Sequence, residues 1–399
     1  MDRNSSWLDL PPDTGFGIAN LPYGVVHWPG SERPRVAVPV GDDVLDLAGA
    51  LEHVDGDLAF LVRGHNLDHL LGAGPEAWAA LRSTLTHLLV DDRHRDIVLG
   101  SLRPRAEVTP LMPFTVADYV DFYSSEHHAR NVGEILRPGQ PPLTPNWKHL
   151  PIGYHGRSGT VAVSGTPVRR PYGQRKEGPS YAPTAKLDIE AEVGFVVGVP
   201  STLGRPVRPE EWRQHVFGVV LVNDWSARDV QAWEGQPLGP FLGKSFLTSI
   251  SPWVVPLAAL DDAFVDPPEQ DPAPLDYLLP AGPGLDLDLE VRINGHVVSR
   301  PRAAGLYWTA AQQLAHLTAN GASLRTGDLY ASGTVSGPDR ETRGCLLELS
   351  WNGRDAIELP DGTSRTFLAD GDTVTIAATA PGPGTRLSLG AVTGTVHPA

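Results

Sequence analysis

Three features of this sequence predict a mainly β or α+β fold. Glycine and proline are both abundant, at 42 and 38 of 399 residues, and they favour many turns and short strands over long helices. Residues 187–193 alternate apolar and polar side chains, the period-two signature of a strand. Val216 to Val222 is an apolar run broken only by Gly218, as in a strand covered on both faces. A chain of this length has room for two or three domains and buries a sizeable core without disulfide staples.

Along the chain, residues 1–110 read as a first domain. Residues 36–40 and 43–47 predict short strands there. Residues 75–90 predict an amphipathic helix with Trp78, Leu81, Leu85, Leu88 and Leu89 on one face. Arg103-Pro104-Arg105 to Pro110-Leu111-Met112-Pro113 reads as a linker at the end of this domain. Residues 111–399 form the second, strand-rich domain, with Pro/Gly loops expected at 137–146, 166–184 and 265–284. Residues 309–320 predict a helix that stops at Asn320-Gly321.

The formal net charge of −15 argues against a nucleic-acid or anionic-membrane partner, each of which needs a basic face. Cys345 is the only cysteine, which fits a reducing compartment. The opening Met1-Asp2-Arg3-Asn4-Ser5-Ser6 lacks the basic flank and apolar stretch of a signal peptide, and no apolar run nears the roughly 18–20 residues of a membrane helix. A cytoplasmic location is therefore expected, and the Asn4-Ser5-Ser6 sequon is idle. Gly72-Ala73-Gly74 follows no strand and meets Pro75, so it is not a dinucleotide loop. Gly243-Lys244-Ser245 lacks the upstream glycine of a P-loop, since Leu238 holds that place.

Carboxylates carry the chemical signal. On a strand, Glu190 and Glu192 share a face, and like charges so close repel. Either that face is solvated or a hard cation bridges it, since Mg²⁺ and Ca²⁺ select carboxylate oxygens. Asp224 ends the apolar run and is a helix cap or a ligand; Ser226 and Asp229 resemble a capping box opening a short helix. Arg228 and Gln231 would share one face of that helix. Residues 118–133 hold Asp121, Tyr123, His127 and His128 beside the helix-starting Ser124 and Ser125. Asp121 is another hard-metal candidate, and at most one of the two histidines faces a site. Glu348 interrupts an apolar strand expected at 346–351; buried there, it needs a partner, either any basic residue or a histidine that it orients.

Read together, GFGIANLPYGVV at 15–26, DFYSSEHHARNVG at 121–133, PNWKHLPIGYHGR at 145–157, LDIEAE at 187–192, NDWSARDVQAWE at 223–234, PLGPFLGKSF at 237–246 and ASGTVSGP at 331–338 resemble the fumarylacetoacetase family. The likeness runs in order from about residue 15 to 390. It implies an SH3-like barrel, then a β-roll catalytic domain, in a homodimer. It also implies hydrolysis of a β-diketo acid, fumarylacetoacetate, to fumarate and acetoacetate at the end of tyrosine and phenylalanine breakdown. By motif position it makes Asp121, Glu190, Glu192 and Asp224 ligands of a Mg²⁺ or Ca²⁺, with Lys244 and Thr248 at a second metal position beside Asp224. His128 becomes the general base and Glu348 its partner. Arg228, Gln231 and Lys244 surround the developing negative charge, and Tyr123, Arg137, Tyr154, Gln231 and Thr334 hold the substrate. The chemistry is consistent: a diketone chelates a hard cation through two oxygens, and the cation polarises the carbonyl.

Two positions depart from the family pattern. Gly235 stands where a substrate-contacting tyrosine is usual, and Leu247 replaces a glycine. Gly235 leaves the substrate range open: its place one turn after Gln231 predicts a roomier pocket, unless it ends the helix with a positive φ. An acylpyruvate hydrolase, or a decarboxylase or hydratase of 2-oxo acids, would share the carboxylates. The presence of both His128 and Glu348 favours water activation over decarboxylation. A non-catalytic cation-binding protein would leave the Tyr, Arg and Lys set without a purpose.

Overall fold

In the computed structural model, which describes residues 6–11, 14–176 and 180–399, one sheet runs through both halves of the chain. It begins with β1 (Tyr23–His27), β2 (Arg35–Val40) and β3 (Asp43–Asp46), paired antiparallel. The strand expected over 43–47 ends one residue early because the Asp46 carboxylate accepts from Ala48 N and Gly49 N, so that Leu47 opens α1 (Leu47–Leu51). Next come α2 (Gly56–Leu61), α3 (Asp68–Gly72), α4 (Pro75–Val90) and α5 (Arg95–Ser101). α4 buries Leu81, Leu85, Leu88 and Leu89, as its periodicity predicts. The stretch read as a linker is paired instead: β4 (Leu102–Pro104) joins β3, and β5 (Thr109–Leu111) joins β1. Asn4 and Ser5 of the sequon lie outside the described residues.

The second half opens with β6 (Tyr119–Phe122), α6 (Glu126–Leu136), β7 (Gly153–His155), β8 (Val161–Val163) and β9 (Val168–Arg169). The loop expected at 166–184 holds β9 and a hairpin of β10 (Tyr172–Arg175) and β11 (Ser180–Pro183), closed across the ladder by stacked Tyr172 and Tyr181 rings. The strand expected from the alternation at 187–193 breaks at Ile189-Glu190 into β12 (Leu187–Asp188) and β13 (Ala191–Val197). Then follow α7 (Trp212–His215), β14 (Val216–Asp224), β15 (Ser226–Ala227), α8 (Arg228–Glu234), α9 (Leu242–Ser245), β16 (Thr248–Ile250) and β17 (Trp253–Pro256). Ser226 does not cap α8; Ala227 sits at the cap position, and the Ser226 hydroxyl donates to Asp224 O. The last third contains β18 (Phe264–Val265), β19 (Gly284–Leu285), β20 (Asp288–Ile293), β21 (His296–Ser299), α10 (Ala310–Thr318), β22 (Leu329–Ala331), α11 (Leu346–Leu349), β23 (Ile357–Glu358), β24 (Ser364–Arg365), β25 (Thr373–Gly382) and β26 (Thr385–His397). The strand expected at 346–351 is thus the helical turn α11.

The large sheet has the order β4-β3-β2-β1-β17-β14-β13-β22-β6-β7, with β5, β16 and β8 attached to it. A second sheet has the order β21-β20-β25-β26-β9. Apolar residues on both faces of β13 and β14 are buried, which explains why β14 reads as a continuous apolar run. Val193, Phe195, Val219 and Leu221 pack in one core with Leu289, Val291 and Ile376 of the second sheet. Val196, Phe217, Val220 and Val222 pack in another with Leu45, Leu58, Leu81 and Leu85 of the N-terminal half. The fold is α+β and dominated by its sheets. Among the described residues, no helix is long and apolar enough to cross a membrane.

Candidate active site

Four acids converge where neighbouring strands of the large sheet end. Asp224 is the last residue of β14, Glu192 lies on β13, and Asp121 on β6 is joined to β13 through β22. Glu190 sits in the break before β13, where its backbone N donates to Asn223 Oδ1 and its carbonyl accepts from Asp224 N. Ligand oxygens of Asp121, Glu190, Glu192 and Asp224 lie within 4.8 Å of one another, and all four residues are buried. The solvated-edge reading of Glu190 and Glu192 therefore does not hold.

Burial and repulsion by Asp224 and Glu190 raise the Asp121 carboxyl well above its usual range; burial with Asp121, Glu190 and Asp224 does the same to Glu192. Burial would also raise Glu190, but Lys244 and Arg228 outweigh it and hold that carboxyl low. Neither Glu192 oxygen, nor Asp121 Oδ1, has a hydrogen-bond partner. Buried acceptors left this way cost free energy, and a hard divalent cation with oxygen ligands meets all of them. The donor set fits such a cation.

Lys244 Nζ donates to Glu190 Oε2 at 2.6 Å and Asp224 Oδ2 at 2.8 Å. Burial would depress its pKa, but the two carboxylates raise it, so the side chain is an ammonium and brings charge rather than a lone pair. Thr248 Oγ1 donates to Asp224 Oδ1 at 2.8 Å, and Tyr154 Oη to Asp224 Oδ2 at 2.9 Å. Lys244 is placed by a close approach of α9 to α8: a Cβ on Gly243 would fall 2.8 Å from Gln231 N. Arg228 and Gln231 share a face of α8, with Arg228 Nη1 at 3.2 Å from Gln231 Oε1 and 2.7 Å from Glu190 Oε1.

Ser125 caps α6 by accepting from His128 N, and this fixes the histidine one turn into the helix. His128 Nδ1 meets Glu348 Oε2 at 2.7 Å in a buried pair. Asn131 Nδ2 and Ser336 Oγ also donate to that carboxylate, at 2.8 and 2.7 Å. Burial would raise the Glu348 pKa, but the charge and hydrogen bond of His128, with those of Asn131 and Ser336, bring it down to about 2. The Tyr123 and His128 rings meet edge to face at 5.2 Å. Thr334 is buried with an unpartnered hydroxyl, and Arg137 gives one nitrogen to Pro142 O. His127 is half-buried and stands outside the pair.

A cleft of about 180 Å³ opens onto Asp224, Lys244 and Thr248 between Tyr154, Arg157 and Phe241; His128 does not line it. Elsewhere His87, Asp91 and His94 bring ligand atoms equally close, but Arg93 occupies both Asp91 oxygens. Gly235 ends α8 with φ −62°, so it is not a left-handed stop, and a Cβ there would meet the Gln231 carbonyl at 2.8 Å. Leu247 packs against the main core.

Residues 118–397 match the family described as fumarylacetoacetate (FAA) hydrolase C-terminal, and residues 19–113 match fumarylacetoacetase N-terminal. The chain belongs to the fumarylacetoacetate hydrolase family. It is 45% identical over 417 residues to a fumarylacetoacetase of Bos taurus and 44% over 414 to that of Homo sapiens, with 99% of both chains covered in each case. The fumarylacetoacetase of Arabidopsis thaliana is 43% identical, with 98% of each chain covered. A fumarylacetoacetate hydrolase structure from Exiguobacterium antarcticum shares the fold, with a TM-score of 0.57 at 18% identity, covering 95% of this chain and 100% of that one. A maleylpyruvate hydrolase from Sphingobium.sp SYK-6 does so with a TM-score of 0.52 at 16% identity, covering 95% and 99%. Three residues that contact this candidate site carry no signal of their own in the sequence. Asn131 follows His128 by one helical turn, Ser336 lies in the 331–338 motif, and Asp188 shares the strand parity of Glu190 and Glu192.

Proposed function

We propose that this chain hydrolyses a carbon–carbon bond of fumarylacetoacetate, giving fumarate and acetoacetate in tyrosine and phenylalanine catabolism. The observation that carries this reading is a buried four-acid cluster with unpartnered oxygens beside a histidine–glutamate pair, in a chain 43–45% identical along nearly its full length to fumarylacetoacetases of animals and a plant. His128 lies close enough to Glu190 to help lower its pKa, which supports placing the base and the cluster in one site.

In this reading Asp121, Glu190, Glu192 and Asp224 hold a Mg²⁺ or Ca²⁺, with Lys244 and Thr248 bracing Asp224. The bound cation supplies Lewis-acid polarisation of the diketone oxygens. Glu348 orients His128 and stabilises its charge while His128 takes a proton from water. The hydroxide adds to the carbonyl, and Arg228, Gln231 and Lys244 donate to the resulting oxyanion. The carbon–carbon bond then breaks, and the proton taken by His128 is available to the departing carbon. Tyr123, Arg137, Tyr154, Gln231 and Thr334 hold the substrate, with Arg137 offering charge to a carboxylate. The protein works as a homodimer in the cytoplasm, where buried Cys345 stays reduced.

The test is incubation of the purified chain with fumarylacetoacetate and Mg²⁺ or Ca²⁺. Diketone absorbance should fall as fumarate appears, and absorbance that holds steady with metal present would overturn the reading. Mass measurement in solution tests the dimer.

A further inference from the structure

Asp188 has no part in the chemistry above, yet its fully buried carboxylate joins three pieces of the site. Oδ1 accepts from Ile189 N and Leu346 N, both at 2.7 Å. Oδ2 accepts from Leu347 N at 2.9 Å and from Arg228 Nε at 2.8 Å. Three backbone N–H groups thus fix the carboxylate, and the carboxylate fixes one side chain. Arg228 Nη1 is separately held by Glu190 and Gln231. With Nε and Nη1 both pinned, the planar guanidinium cannot turn, and Nη2 is left buried without a partner. A buried donor kept free in this way is prepared for an acceptor that arrives with the reaction.

We propose that Asp188 is a positioning residue that holds Arg228 with Nη2 turned toward the developing oxyanion. The inference rests on the hydrolytic reading above. Because the same carboxylate takes the first N–H groups of α11, it also sets the separation between that donor and Glu348, which α11 carries. Without Asp188, Glu190 would be the one carboxylate left to Arg228. The guanidinium would then turn onto Glu190 and close its fork on both oxygens.

The experiment uses the full chain loaded with Mg²⁺ and compares Asp188→Asn, Arg228→Gln and the double variant for turnover of fumarylacetoacetate. Asparagine keeps the shape but loses an acceptor and the charge. We expect kcat to fall about 10–100-fold in Asp188→Asn with KM within about two-fold of wild type, the scale of a misplaced catalytic group. The double variant should be no slower than Arg228→Gln alone, because the first change acts through the second. A part in folding alone would lower the melting temperature and leave kcat per folded molecule unchanged, which overturns the proposal. Losses that multiply in the double variant also overturn it. If Asp188→Asn does not fold, Asp188→Glu keeps the charge, shifts the carboxylate and carries the same expectations. If wild type leaves fumarylacetoacetate intact, the hydrolytic reading fails, and crystal structures decide the positioning separately. Arg228 turned onto Glu190 in the variant supports it, and Arg228 in its wild-type place refutes it.

Discussion

His128 Nδ1 and Glu348 Oε2 lie 2.7 Å apart although the two residues are 220 positions apart in the chain. A ring bound at Nδ1 has Nε2 left for water, and the carboxylate stabilises the charge that the ring gains. His128→Ala should therefore lower kcat about 10²–10⁴-fold, the usual worth of a general base, with metal affinity retained. Glu348→Gln should cost less, since the imidazole remains. Steady-state rates from diketone absorbance give both values, and near-normal turnover in His128→Ala would refute the assignment.

The same pair shapes acid stability. Burial opposes the Glu348 charge, but His128, Asn131 and Ser336 bring its pKa from the ordinary 4.5 to about 2. A carboxylate with a depressed folded-state pKa stabilises the fold fully above its unfolded value. That contribution is lost as pH falls through the folded one, and here it is on the order of 3 kcal/mol. The difference in unfolding free energy between wild type and Glu348→Gln should shrink as pH drops from 4.5 toward 2. Urea melts across that window measure it; a difference independent of pH would exclude an ionised Glu348.

Asp121 and Glu192 are held above the usual carboxylate range by burial and by neighbouring carboxylates, Asp224 and Glu190 acting on Asp121, and Asp121, Glu190 and Asp224 acting on Glu192. A cation favours their charged forms and must displace the protons they retain. Mg²⁺ or Ca²⁺ affinity should therefore rise with pH, and binding should release protons. Calorimetry in buffers of different ionisation enthalpy reads the release directly. Heats that do not depend on the buffer would show that both acids are already ionised.

Gly235 has helical φ and ψ, so the backbone itself accepts a side chain, but the Cβ would press on the Gln231 carbonyl at 2.8 Å. The strain belongs to the first carbon. Gly235→Ala and Gly235→Tyr should thus lower the melting temperature by similar amounts. A Gly235→Tyr protein that melts with wild type and binds fumarylacetoacetate more tightly would show that the carbonyl yields and that the position faces the substrate.

Local pattern was a sound guide wherever a segment's own apolar period decided its state. The face of α4 and the buried run of β14 are examples. It failed where a distant partner decided. Residues 109–111 look like a linker until β1 is beside them, and 346–349 look like a strand until Asp188 takes the N–H groups of Leu346 and Leu347. In the site, strand parity alone put Glu190 and Glu192 on one face, and the helix period paired Arg228 with Gln231. That Asp121 joins those acids was legible in no local period, because β22 brings it there. The break at Ile189-Glu190 was hidden too, since the alternation continues through it.

β22 sits between β13 and β6 in the large sheet, pairing Ala331 with Asp121 on one side and with Gly194 on the other. Among the described residues, the other strand beside β6 is β7, at the edge of the sheet. A growing chain therefore carries Asp121, Glu190, Glu192 and Asp224 long before it can gather them. The insertion of three residues, Leu329–Ala331, adds Asp121 to the three acids that β13 and β14 already hold together. A chain interrupted before Leu329 holds all four acids but lacks the strand that ties Asp121 to the other three.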